Sequence, residues 1–462
     1  MLENQNCRMC RLKLDVNTAF FILLFCSFPI SFAYAQTLSV EEYLGQVSQS
    51  HQGYRSLRAQ SEGALHASKS ASLLFKPQAF TNAQYIYDPR TTHAPSIEGY
   101  RNIHRNISFG LRQQTNFGLQ LQLSVDYAQG TLLGTNPAFV INPNLVNFFV
   151  IPTFNFSLWQ NLLGRMDRAN KRLTEAQSLA TAYGSRFGAQ ATLVEAEGRY
   201  WKLVVIREAI RLQEKSVQRA KSLVALETRK IRRHLVDSSD VLLGEATLQG
   251  KNLELKSMIA EERSAARSFN SARGINSNTV HDELALPSVE SIQNIILPKR
   301  TSRRGDVHTA EQQAIAAQAG NELARENLLP NLSVYGSIFA VGLAFSIPID
   351  QSLTQEARKG YAQQGQAAEL NFERKLFEEE ADWNDLMEKF SYTQERLIVA
   401  LKLEEIQQRK FEETRSKLTK GLTVAFQVFQ YELEYLSASL ARLQLEGNLL
   451  GIRAQMRFYE PS

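Results

Sequence analysis

Beyond position 26 the chain has no cysteine: its three, Cys7, Cys10 and Cys26, all fall in the N-terminal stretch. That stretch reads as a secretory signal over residues 1–35. Arg8, Arg11 and Lys13 form a basic n-region and residues 19–32 an apolar h-region. Ala33-Tyr34-Ala35 then offers a small-residue cleavage site ahead of Gln36. The Cys7-x-x-Cys10 spacing would otherwise suggest a redox or zinc motif, but both residues leave with the signal. Phe25 is too bulky for a lipoprotein site at Cys26. The mature chain is therefore expected to hold neither disulfide nor thiolate-bound metal.

No later segment reaches the ~18 consecutive apolar residues of a membrane helix. If the mature chain sits in a membrane, it must do so as a closed β-barrel, since lipid cannot satisfy an open sheet edge. Charge imbalance is also small. Loss of Arg8, Arg11 and Lys13 together with Glu3 and Asp15 lowers the formal net charge of +5 by one, which implies no nucleic-acid partner. The seven histidines (His51, His66, His93, His104, His234, His281 and His308) show no ligand spacing. No Gly-x-Ser-x-Gly elbow or phosphate loop is present. No catalytic residue, metal or cofactor is expected.

What is there is a plan written twice: helix, strands, very long helix, polar turn, long helix. Residues 38–75 are helical in composition and end at Lys76-Pro77; residues 306–328 are helical and end at Leu329-Pro330. Proline disfavours helix in the residue before it, so both breaks have a physical cause. Strand patterns follow each break. Val341, Leu343, Phe345 and Ile347 alternate with Gly342, Ala344 and Ser346, and Asn331-Leu332-Ser333-Val334-Tyr335 precedes them. In the first copy, residues 79–87 form a weaker strand, and Phe154, Phe156 and Leu158 alternate with Asn155 and Ser157. A hairpin of residues 107–111 and 119–125 turns around Asn116-Phe117-Gly118. A soluble sandwich would alternate in the same way.

The helices tip the balance. From Gly164 to about Arg233 there is no proline, and Leu203, Ile206, Ile210, Val217, Ala220, Val224 and Ile231 form a 3-4 stripe broken only by Gln213 and Glu227. A second stripe runs through Leu433, Leu436, Leu440, Leu443 and Leu450, with Gly447 in register. Sustained heptad spacing means coiled-coil packing. The helix from Gly164, and one over residues 353–420, would each extend ~100 Å. Helices of that length make rods or tubes.

The two polar turns superimpose. His234-Leu235-Val236-Asp237-Ser238-Ser239-Asp240-Val241-Leu242 aligns with Gly421-Leu422-Thr423-Val424-Ala425-Phe426-Gln427-Val428-Phe429. With Arg304-Gly305-Asp306-Val307, Leu329-Pro330 and the corner Trp159-Gln160-Asn161-Leu162-Leu163-Gly164, the chain resembles the TolC-type outer membrane efflux family over nearly all of residues 38–458.

That resemblance implies an α+β membrane protein: a homotrimer with a shared outer-membrane β-barrel, four strands per protomer, continued by a periplasmic α-helical barrel. Repeats would span residues 36–273 and 304–460, with an equatorial linker at 274–303. It implies an exit duct in the outer membrane of a Gram-negative bacterium, serving a tripartite efflux or type I secretion system. The partners implied are outer membrane lipid, a periplasmic adaptor (membrane fusion) protein, and an inner-membrane efflux pump or ABC transporter.

Phe154, Phe156, Leu158, Val341, Leu343 and Phe345 are the expected lipid-facing row. Leu235, Val236, Gly421 and Leu422 are the expected adaptor contacts, and Asp240, Gln427 and Gln430 the expected tip and gate. Gln427 and Gln430 stand where many relatives carry aspartates. The residues 331–347 are short for two membrane spans, and the 107–127 hairpin is more strand than four per protomer requires. The basic run Arg229-Lys230-Ile231-Arg232-Arg233-His234 reads as a solvated helix end. The alternative function is a secreted structural or adhesive coiled-coil protein with a small β-domain.

Overall fold

The computed structural model describes residues 37–88, 93–232, 238–298, 300 and 302–460. The signal segment lies outside these residues, as do Leu235 and Val236. Helices α1 (Val40–Ser50) and α2 (Gln52–Ser70) lead through a short 3-10 turn to β1 (Gln78–Asp88). Helix α3 (Pro95–Glu98) precedes β2 (Arg101–Gln114), β3 (Leu119–Leu133) and β4 (Asn144–Ser157). Next come α4 (Arg165–Ile231), α5 (Ser238–Ala272), α6 (Val289–Gln293) and α7 (Gly305–Asn327). The short strands β5 (Asn331–Ser337) and β6 (Val341–Ser346) precede α8 (Gln351–Thr419) and α9 (Ala425–Met456).

The six strands form one antiparallel sheet in chain order, β1 to β6. The family resemblance implies four strands; the described residues carry six, because the β2–β3 hairpin is inserted between β1 and β4. No helix among the described residues is long and apolar enough to cross a membrane.

Helices α4 and α8 have 67 and 69 residues, ~100 Å each at 1.5 Å per residue. The first half of α4 lies against α2 and α7, where Ser61 Oγ donates to the Ala182 carbonyl (2.9 Å). Its second half lies against α5 and α9, where Gln213 Nε2 donates to the Lys251 carbonyl (3.0 Å). At the equator Tyr43, Tyr200, Trp201, Leu203, Phe269, Leu397 and Leu449 form the main apolar cluster. Tyr43 stacks on Phe269 at 4.2 Å between ring centres. Tyr200 Oη donates to the Leu38 carbonyl (2.6 Å), and burial pushes its hydroxyl pKa up to about 12, so it stays a neutral donor. A second cluster of Leu223, Phe411, Leu418, Val428 and Phe429 sits near the α8–α9 tip.

Of the α4 stripe Leu203, Val217 and Ala220 are buried and Ile206, Ile210, Val224 and Ile231 half-buried, while its two polar interruptions are fully buried: Gln213 is 0% exposed and Glu227 1%. On α9 the buried seam differs from the expected one. Phe429, Leu436, Leu443 and Leu450 are buried, but the positions between them are Glu432, Ser439 and Glu446, while Leu433 is 57% exposed. Charge pairing causes the difference. Glu432 meets Arg219 (2.9 Å) and Lys251, and Glu446 meets Arg442 (2.6 Å), which also holds Glu404 (2.5 Å). At position 432 a buried carboxylate with cations on facing helices outcompetes the leucine one residue away, since an unpaired buried charge would be far more costly, whereas Glu446 is paired within α9 itself.

Arg304, the cation of the Arg-Gly-Asp-Val motif, is a second buried node. It donates to Asp306 (2.6 Å) and Asp382 (2.7 Å), and its backbone N–H donates to Glu379 (2.7 Å). Burial alone would lower its pKa, but the two carboxylates outweigh that and raise it, so the guanidinium stays charged. The motif thus ties the start of α7 to the middle of α8.

Candidate functional site

The sheet has one apolar and one polar face, and pairing register decides which residue lies on which. Leu119, Leu121, Leu123, Val125 and Tyr127 of β3 pair with Phe156, Phe154, Pro152, Val150 and Phe148 of β4. In turn Phe156 pairs with Val334 and that with Leu343; Leu332 pairs with Phe345, and Gly336 with Val341. Paired residues share a face. Five of the six residues expected to face lipid, Phe154, Phe156, Val341, Leu343 and Phe345, therefore lie on one side of the sheet. Leu158 follows the end of β4, where its N–H donates to the Leu332 carbonyl (2.7 Å). On β2 the same face carries Ile107, Phe109 and Leu111, all more than half exposed.

At the far end of this band Tyr85 and Tyr87 stand beneath Arg105 and Arg101, 5.9 and 6.0 Å from ring centre to guanidinium carbon. Aromatic residues at the margins of an apolar band are the pattern of a barrel wall at a membrane interface.

The opposite face is polar on its central strands, β2 and β3. At its helix-proximal end Gln78, Arg112, Gln114, Gln120, Gln122 and Asn155 line a cavity of about 700 Å³. Arg112 Nε donates to Gln78 (3.2 Å), and Gln114 Nε2 donates to Asp167 at the start of α4 (2.6 Å). Asn161 also donates to Asp167 (2.6 Å), so one carboxylate fixes the strand-to-helix corner. Sequence reading missed this neck, because amides scattered over four strands converge only through register.

The corner also requires two glycines. Gly118 and Gly164 have φ of 84° and 72°, and each backbone lies against the other's turn. A Cβ on Gly164 would collide with the Asn116 carbonyl oxygen, and one on Gly118 would sit 2.7 Å from that of Asn161. Gly164→Ala is expected to destabilise the fold by at least about 1–2 kcal/mol, the cost of left-handed backbone alone. Thermal melts of the detergent-solubilised protein would read it, and a melt unchanged from the parent would show that the corner relaxes freely.

At the other end of the molecule lies the tip. Gly421 adopts φ 76° and lets the chain reverse, with the Leu422 N–H donating back to the Lys417 carbonyl (2.9 Å). Leu422 is consequently 73% exposed, beside exposed Val424 and Phe426. Asp240 occupies the first turn of α5, half-buried. Gln427 and Gln430 are exposed on α9: Gln427 accepts from Thr423 Oγ1, and Gln430 Nε2 donates to Glu434 (3.3 Å). Helices α5 and α9 lie side by side here, with Gly244 of α5 close to Phe429 of α9 and Val224 of α4.

No hydrogen bond or ion pair joins Asp240 to either glutamine within the chain. Glu434, unnoticed in the sequence, brings a carboxylate to this surface, but Lys410 pairs with it at 2.7 Å. Arg229, Lys230 and Arg232 cap the end of α4, and Lys230 pairs with buried Glu227 (2.9 Å).

The chain matches no protein-family model and no curated protein. Among solved structures it is similar to the outer membrane protein VceC from Vibrio cholerae, with TM-score 0.69, 11% identity, and 91% of this chain and 95% of that one covered. The outer-membrane channel OprN gives TM-score 0.66 and 16% identity over 91% and 89%. The open state of the MtrE outer membrane channel from Neisseria gonorrhoeae gives 0.66 and 12% over 91% and 88%. The chain has the fold of these outer-membrane channels.

Proposed function

We propose that the chain is one protomer of a homotrimeric exit duct in the outer membrane of a Gram-negative bacterium. Its sheet contributes to a shared barrel, and its two helix–strand–helix repeats line a periplasmic tunnel that passes substrates from an inner-membrane pump through an adaptor. One observation carries the reading: the sheet exposes a continuous apolar face, backed by a face that is polar on its central strands, and nothing among the described residues covers it. In water such a face would be an aggregation hazard; in lipid it is the outer wall of a pore. The long seams of α4, α8 and α9 support a tube closed between copies, since one copy cannot surround a lumen. Exposed Leu422, Val424 and Phe426 give the tip an apolar surface for an adaptor, together with Gly421 and, from the first tip, Leu235 and Val236. No catalytic step is assigned to the chain.

The mouth of the tunnel is expected to be held by neutral amides of Gln427 and Gln430, which can donate and accept across a threefold axis without charge repulsion. Planar-bilayer recording of the purified protein should show stepwise conductance with little block by millimolar calcium. Absence of any conductance would sink the duct reading. Strong calcium block that disappears in Asp240→Asn would keep the duct but transfer the gate to the first tip.

A further inference from the structure

The sheet is stepped at both edges, and the steps fit each other. A single register row runs Gln78, Arg112, Gln122, Thr153, Ser337 across the first five strands. Strand β1 extends from this row only towards the distal loops, and the β5–β6 hairpin extends only towards the helices. As a result β4 is paired on its outer edge only from Thr153 to Ser157, and among the described residues no strand lies on that side of residues 144–152. The free edge of β1 lies at the same level on the opposite side of the sheet, and the two strands run antiparallel. Open backbone edges are not tolerated at membrane depth.

Side chains give a second, independent match. On the polar face the central strands β2 and β3 present Asn106, Ser108, Ser124 and Asp126 at mid-height. The edge strands break this pattern with apolar residues: Phe80 and Ile86 on β1, and Leu145, Phe149 and Ile151 on β4. Phe339 from the hairpin tip leans on Phe149 at 5.6 Å but leaves it 41% exposed. Apolar side chains on both edges, nearly continuous on β4 and interrupted by Asn82 and Gln84 on β1, lie on the face that should be wet and await a neighbour.

We propose that neighbouring copies join through β1 of one and residues 144–152 of β4 of the next, with the β5–β6 hairpin lying beneath this seam rather than in it. The wall at mid-membrane then has four strands per copy and continues the antiparallel meander, while the hairpin thickens only the helix-proximal rim. This rests on the oligomeric barrel reading above and says which edges build it.

All native cysteines lie at positions 7, 10 and 26, so engineered pairs report cleanly after the signal is removed. One series places a cysteine at Phe148 or Val150 together with one at Ala79, Thr81, Ala83 or Tyr85, all on the apolar face, to scan the register. A second series replaces the β4 position with Leu343 or Phe345 on β6. Disulfides need Cβ atoms about 3.5–4.5 Å apart, so only true neighbours close. After mild oxidation of whole membranes, the β4–β1 series should convert most of the protein into a covalent ladder ending at trimer, and the β6–β1 series should leave monomer.

Ladders from β6–β1 instead, or none from either series while each single-cysteine variant still runs as a native oligomer, would overturn the edge assignment. A parent protein that is monomeric on native gels would overturn the barrel reading itself.

Discussion

Phe109→Arg is expected to remove most of the assembled protein from the outer membrane, while Ser108→Arg, one residue away, leaves assembly near the parent level. Phe109 lies in the row Thr81, Phe109, Val125, Val150, one row from the centre, at Leu123, of the apolar band from Leu119 to Tyr127. Its side chain is 57% exposed on the face proposed to meet lipid. An arginine at the bilayer midplane of a barrel costs about 2–4 kcal/mol, and three copies would each bear it. Ser108 faces the other way and pairs with Asp126, so an arginine there meets water and a carboxylate.

Depth matters as well as face. Leu343 belongs to the row of Leu119 and Phe156 at the helix-proximal margin, so Leu343→Arg should cost only about 0–1 kcal/mol. Heat-modifiable bands in outer-membrane fractions, at matched expression, would rank the three variants. Equal assembly of Phe109→Arg and Ser108→Arg would mean that the apolar face does not meet lipid.

The parts of this fold that could be read from the sequence are those where one local rule dominates. Lys76-Pro77 and Leu329-Pro330 end helices by sterics alone, and the structure ends α2's 3-10 extension at Phe75 and α7 at Asn327. Alternation identified the middles of β2 and β3 but not their ends, because Arg101, Arg105 and Gln129 on the outward face replace apolar residues as the strands leave the band. The upper half of β4 was missed for the opposite reason. Leu145-Val146 and Phe148-Phe149-Val150-Ile151 are apolar on both faces, which hides a period of two.

The α9 seam shows the limit of hydrophobic counting. Leucines at 433 and 440 gave an attractive stripe, yet the helix turns so that Glu432, Ser439 and Glu446 point inward, since their partners lie on α4, α5 and α9 itself. Pair geometry between helices distant in sequence cannot be read from one helix. Nor can the neck: Gln78, Gln114 and Asp167 meet only because three registers and a left-handed corner agree.

Glu432 is where that hidden seam has its largest consequence. The residue is 1% exposed on α9, one turn beyond the tip's apolar cluster, and it accepts from Arg219 of α4 (2.9 Å) and from Lys251 of α5. Lys251 is itself 5% exposed, and its other partner is the Ser216 hydroxyl (2.6 Å). Glu432→Ala leaves this ammonium buried without a carboxylate, a change expected to cost about 3–5 kcal/mol. Arg219 suffers less. It lies over Phe411 and Tyr435, 5.8 and 5.5 Å from their ring centres, and part of its side chain reaches solvent.

The penalty should therefore track Lys251 rather than Arg219. Adding Lys251→Met to Glu432→Ala is expected to recover most of the loss, whereas adding Arg219→Met is not. Glu432→Gln should fall between parent and alanine, because an amide oxygen still accepts one hydrogen bond. A double-mutant cycle on thermal or denaturant melts of the solubilised protein separates these terms. If Glu432→Ala melts within about 1 kcal/mol of the parent, a typical single-substitution effect, water reaches Lys251 and the seam does not hold the tip helices together. If it melts low and Lys251→Met restores it, the register of α4, α5 and α9 near the helical tip is set by one buried carboxylate. Movement of α9 against the other two would then have to break that contact first.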